Sequence, residues 1–205
     1  MPAVIDYYFA PHSPWTYLGH DRFAAIAAKA GAQVRVLPVD LGRVMSVSGG
    51  LPLAQRPAQR KAYRLLELRR FSQWLGKPMN VEPRHFPVPP DDAARLIIAA
   101  DLHHGTEAAL RLAGGVMAAV WQHERDIADA ATLADLAREA GLPPELPEQS
   151  RGAQVQACYD HNTQAAIDLG LFGAPTYVLD GEMFWGQDRL DFLQRKLDNH
   201  PNQGA

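Results

Sequence analysis

Residues with strand character occur only at the two ends of this chain, and that separation restricts its fold more than any other feature. At the front, Val4 to Phe9 is β-branched and aromatic, and Gln33 to Val39 alternates, so each reads as a strand. Between them Trp15, Leu18, Phe23 and Ile26 recur at helical spacing as far as Gly31. A crossover helix of that length joins parallel strands in a right-handed unit. At the back, Thr176 to Leu179 and Met183 to Trp185 flank Asp180-Gly181, a strong hairpin signal. A last helix with Leu190, Phe192, Leu193 and Leu197 follows, and Asn199 to Ala205 reads as a frayed tail.

The order is β-α-β, about a hundred residues of helix, then α-β-β-α. The two ends can form one mixed sheet of four strands with helices on both faces. The expected class is α/β, with residues 1–50 and 152–205 as one discontinuous domain and 51–151 as an inserted helical domain. Within the middle, Asp40 to Pro57 is dense in glycine and proline and reads as loop. Ala58 to Leu75, Asp91 to Leu102, Glu107 to Glu124 and Gln149 to Gly170 read as helices, with a proline-rich crossing over Gly76 to Pro90. Thr132 and Asp135 have capping-box spacing for a further helix ending at Gly141.

Bulk composition narrows the chemistry. The 205 residues are 47% hydrophobic and carry a formal net charge of −3, so neither nucleic acid nor an anionic membrane is expected as the main partner. No apolar run approaches the roughly 20 residues that span a bilayer. No signal peptide is read at the start, and a cytoplasmic protein is expected. Cys158 is the single cysteine, so no intramolecular disulfide can form. It lies among apolar helix neighbours and reads as a core residue. His103-His104 and His123-Glu124 lack the i, i+4 spacing of a metal pair, and no metal site is expected.

The stretch with the clearest chemical content follows the first strand. Ser13 stands where a helix N-cap belongs, and Pro14 occupies the position where proline is best tolerated. The hydroxyl is a cap, or it serves a bound anion at the positive end of the helix. His12 beside it is a solvent-exposed loop residue or a proton donor. Arg56, Arg60, Lys61, Arg64, Arg69, Arg70 and Lys77, against Glu67, make the segment around the helix from Ala58 basic; it is a solvated face or a positive rim over a site for a small anion.

With those residues in place, the chain resembles the thioredoxin fold with a DsbA-type helical insertion. Disulfide oxidoreductases of that type carry Cys-Pro-His-Cys where this chain has Ser13-Pro14-Trp15-Thr16. Replacement of the cysteine pair resembles the branch of 2-hydroxychromene-2-carboxylate isomerases and kappa-class glutathione transferases. Phe172-Gly173-Ala174-Pro175-Thr176 is similar to that branch's cis-proline turn, and Trp185-Gly186-Gln187-Asp188-Arg189 to its Trp-Gly-Asn-Asp-Arg segment.

The resemblance implies a glutathione-dependent isomerase acting on an aromatic-degradation intermediate. Its implied cofactor is glutathione, the thiolate held by Ser13. The cysteinyl backbone would pair with Ala174 next to Pro175, and the γ-glutamyl end would be held by Trp185, Gly186, Gln187 and Asp188. It implies a homodimer and a small aromatic or electrophilic substrate. Substrate positions are implied at Met45, where the isomerases carry lysine, and at Gln55 and Arg56, where they carry Asn-Arg. A kappa-like transferase and a non-catalytic binding module are the alternatives. On residue chemistry alone, Asp188 is a ligand carboxylate or a helix cap, and Trp185 is core or ligand wall.

Overall fold

The computed structural model describes residues 2–200. Four strands form one sheet: β1 (Val4–Phe9), β2 (Gln33–Pro38), β3 (Thr176–Leu179) and β4 (Glu182–Trp185). Their order is β2-β1-β3-β4. β1 runs parallel to β2, pairing Val4 with Gln33 and Phe9 with Pro38. β3 runs antiparallel to both β1 and β4. The front and back of the chain thus share a single mixed sheet, as the strand order implies.

The crossover between β1 and β2 is helix α1 (Pro14–Lys29). Its inner face packs on the sheet through an aromatic cluster. The Phe23 and Tyr177 rings lie 4.5 and 5.3 Å from the Tyr7 ring, and all three residues are fully buried. Each such side chain removes enough apolar surface from water to contribute several kcal/mol, on the order of 25 cal/mol per Å2.

Between β2 and β3 come α2 (Leu41–Ser48), α3 (Ala58–Leu75), α4 (Asp91–His104), α5 (Thr106–Trp121), α6 (Ala130–Glu139), α7 (Leu146–Gln149) and α8 (Ala153–Asp168); α9 (Leu190–Asp198) closes the chain. α4 and α5 are the buried pair. Ala93, Ala94, Ala99, Ala100, Ala109 and Ala113 line them, and such small side chains allow close helix approach. Cys158 packs against the same core from α8. Among the described residues no helix is long and apolar enough to cross a membrane.

Four local readings differ from the sequence expectation. The expected loop at Asp40 to Pro57 contains α2, because Asp40 caps it by accepting from the Arg43 N–H at 3.0 Å and Gly49 ends it at φ 78°. Those are ordinary start and stop signals, hidden by the glycines and prolines around them. The cap of α6 is Asp129, which accepts from the Thr132 N–H at 2.8 Å, so Thr132 lies inside the helix instead of capping it. The long helix expected from Gln149 divides into α7 and α8, with Gly152 extended between them. Asp188 does not cap the last helix: it lies within a 3-10 turn, Gln187–Arg189, ahead of α9. Of the tail, residues 201–205 lie outside the described residues.

Candidate active site

Strand register brings three separate segments to one edge of the sheet. Tyr8 pairs with Thr176, so the turn before β3 lies beside the carboxyl end of β1, where α1 begins. Thr176 also pairs with Trp185, which places residues 185–189 at the same edge. Phe9 pairs with Pro38, so α2 starts there too. Residues distant in sequence therefore converge around Ser13 through backbone pairing alone.

Ser13 is 5% exposed and has extended backbone angles, φ −76° and ψ 126°. Its N–H donates to the Ala10 carbonyl at 2.9 Å and its carbonyl accepts from Tyr17 N–H at 3.0 Å. Its Oγ accepts from the Thr16 N–H at 3.3 Å, the N-cap bond. As an acceptor there, the hydroxyl keeps its own proton free to donate. A group placed against it also meets the positive end of a sixteen-residue helix.

Opposite lies the turn at 172–176. The Ala174–Pro175 peptide is cis. The Pro175 carbonyl accepts from the Gly186 N–H at 2.9 Å, tying this turn to residues 185–189, and the Thr176 hydroxyl donates to the Gly173 carbonyl at 2.8 Å within the turn. Among the described residues the Ala174 N–H and C=O take no hydrogen bond. Such an unpaired pair of backbone groups can receive an extended peptide.

Trp185 is not core: it is 49% exposed, with its ring edge-on to Phe172 at 4.7 Å. A β-carbon at Gly173 would come within 2.3 Å of the indole Nε1, so glycine there is what lets the ring lie down. The Asp188 carboxylate is partly exposed and pairs with Arg189 at 2.7 Å.

Gln187 turns toward the protein interior. Its side chain is 1% exposed and turns inward, against Gly19 of α1. Arg22 donates to its Oε1 and to its carbonyl, both at 3.4 Å. The amide oxygen helps seat the 187–189 turn on α1, while the buried Nε2 has no partner among the described residues.

Of the remaining sequence candidates, Met45 sits on α2 with its side chain folded against Gly50. Gln55 is exposed in a 3-10 turn, Leu53–Gln55. The Arg56 guanidinium donates to the Leu51 carbonyl at 2.9 Å. Sequence reading grouped Arg64 with a general basic face, but it stands apart. It is half-buried, its guanidinium lies over the rings of Phe86 at 5.4 Å and Trp121 at 5.9 Å, and it has no ion pair among the described residues. Burial, and secondarily the Arg56 charge, pull its pKa down to about 10. Among the described residues no group of three or more His, Cys, Asp or Glu could hold a metal ion.

His12 immediately precedes Ser13, and its imidazole lies 6.3 Å from the Phe86 ring at 28°. Its buried Nδ1 has no partner among the described residues. Burial lowers its pKa to about 4, against a smaller upward pull from Asp91 and Asp40. It is therefore a neutral imidazole at neutral pH, and not a solvent-exposed loop residue. The unfolded chain takes up this proton below about 6.5 while the folded chain resists until about 4. Stability from the neutral ring is complete above the first value and is lost as pH falls toward the second. Between pH 7 and pH 5 the parent should lose about 2 kcal/mol that His12→Asn does not lose, read from urea midpoints. Equal acid sensitivity in the two proteins would contradict this placement.

Comparison with known proteins follows the same outline. The family model for the DSBA-like thioredoxin domain matches residues 4–198. A 2-hydroxychromene-2-carboxylate isomerase from Pseudomonas putida is 32% identical over 98% of this chain and 98% of its own length. Glutathione S-transferase kappa 1 from Caenorhabditis elegans is 25% identical, over 94% of this chain and 91% of its own. A solved structure of 2-hydroxychromene-2-carboxylate isomerase superposes with a TM-score of 0.78 at 27% identity, covering 95% of this chain and 94% of that one.

Proposed function

From the premise that this chain belongs to the DSBA-like thioredoxin domain family, in the branch of the 2-hydroxychromene-2-carboxylate isomerases and kappa-class glutathione transferases, we propose that it is a glutathione-dependent isomerase acting on an aromatic, conjugated substrate. The observation that carries this reading is Ser13: a hydroxyl with a free proton, where the family's redox members need a thiol. Serine cannot exchange disulfides. Cys158 lies on α8 against the core, so a reactive sulfur at this edge has to come with a ligand.

The residues present fit a small thiol peptide. Unpaired Ala174 N–H and C=O groups suit its backbone, and the exposed Asp188 carboxylate suits its α-amino end. Pro175, Trp185, Gly186 and the Gln187 backbone would line the rest. When bound, glutathione supplies a thiolate nucleophile that adds reversibly to a conjugated double bond. The Ser13 hydroxyl would donate to that sulfur, a charge-assisted bond stronger than a neutral one. The start of α1 favours the same negative charge. Neutral His12 adds no competing cation at neutral pH. In this reading residues 1–50 and 152–205 hold the cofactor, and 51–151 supply the substrate side.

The test is incubation of the purified protein with 2-hydroxychromene-2-carboxylate and a measured amount of glutathione. Isomerisation that requires glutathione and leaves its concentration unchanged is the expected result. Stoichiometric loss of glutathione would instead make the protein a transferase. Absence of any rise in melting temperature with glutathione would remove the cofactor from the account.

A further inference from the structure

We propose that Arg64 is the residue that selects an anionic substrate, binding a carboxylate on a planar aromatic molecule as it meets the cluster of Phe86 and His12. The geometry is specific. A half-buried guanidinium rests over two aromatic rings, Phe86 and Trp121, and has no carboxylate of its own among the described residues. Arg22, Arg43, Arg95 and Arg125 each pair with a carboxylate; of the arginines that do not, Arg56 and Arg111 donate to backbone carbonyls and Arg60, Arg84 and Arg195 are exposed to water. Ring contact returns only part of what a desolvated cation loses in leaving water. Arg56 is close enough to repel it, so the neighbourhood favours an anion twice over.

The position relative to the reactive edge is what makes this a substrate contact. The Phe86 ring lies 5.4 Å from the Arg64 guanidinium and 6.3 Å from the His12 imidazole, and His12 immediately precedes Ser13. A planar molecule held beside Phe86 and His12 therefore has its acid group near a cation and its conjugated arm near Ser13. Arginine presents a planar fork that pairs with a carboxylate through two parallel bonds, which lysine cannot do. Met45 and Arg56 do not compete for this role: Met45 lacks charge and packs on Gly50, and Arg56 is engaged with the Leu51 carbonyl. The inference rests on the proposed function for placing substrate at this edge.

The experiment measures binding of 2-hydroxycinnamate and of its uncharged amide by titration calorimetry, in the parent, Arg64→Met and Arg64→Lys. The parent should prefer the acid by at least about 10-fold, the scale of one hydrogen bond to a charged group. Arg64→Met should lose that preference while binding the amide within about threefold of the parent, and Arg64→Lys should fall between. Should Arg64→Met fail to fold, phenylglyoxal labelling of the parent replaces it. Peptide mapping should show Arg64 labelled and protected by the acid, not by the amide. A preference for the acid that survives Arg64→Met, or labelling unaffected by the acid, overturns the proposal. The rise in melting temperature with glutathione is read on the same proteins. If glutathione produces none while the preference still depends on Arg64, the cofactor reading fails and the Arg64 assignment stands.

Discussion

Ser13→Ala is expected to raise the pKa of the bound glutathione thiol by one to two units and to cut turnover about 10- to 100-fold. A hydrogen bond to a charged group contributes about 1.5–3 kcal/mol, and each pKa unit corresponds to about 1.4 kcal/mol. The thiolate absorbs near 240 nm, so a pH titration of the complex reads the pKa directly. Because Ser13 also caps α1 through the Thr16 N–H, the alanine variant should lose about 1 kcal/mol of stability as well. Ser13→Gly separates the two roles. Glycine costs a cap only a few tenths of a kcal/mol, so its thiol pKa should rise as far as the alanine variant's with little change in melting temperature. An unshifted thiol in both variants would leave Ser13 as a cap and nothing more.

Gly19→Ala is expected to destabilise the protein by about 1–2 kcal/mol and to weaken glutathione about 10-fold. In an open helix this change stabilises by up to about 1 kcal/mol. Here a β-carbon would stand 2.7 Å from Gln187 Cβ, 3.3 Å from Gln187 Cα and 3.1 Å from the Tyr177 hydroxyl. Overpacking of that kind costs about 1–3 kcal/mol, which outweighs the helix gain. The melting temperature should fall by about 2–8 °C in a chain of this size. Relief of the clash moves the 187–189 turn away from α1, which is why binding suffers along with stability. A higher melting temperature with unchanged glutathione affinity would show that Gln187 yields without consequence.

These two positions also mark how far the sequence could be read. Ser13 was legible because an N-cap followed by proline is a local signal, and the sheet was legible because its strands lie in compact runs at the two ends. α2 was not, since its Asp40 cap and Gly49 stop lie among glycines and prolines that together read as loop. The inward turn of Gln187 depends on Gly19, far away in the chain, and no pattern near residue 187 announces it. Arg64 was hidden for the same reason. Its neighbours on α3 are also basic, and only the packing of Phe86 and Trp121 beneath it distinguishes it from them. His12 looked like a loop residue in water until the fold buried its Nδ1.

A crystal structure with glutathione bound tests the central claim most directly. The sulfur should lie within hydrogen-bond distance of Ser13 Oγ, with the cysteinyl backbone paired to Ala174 and the α-amino group toward Asp188. Glutathione found elsewhere, or seated at this edge with its sulfur turned away from Ser13, would contradict the account.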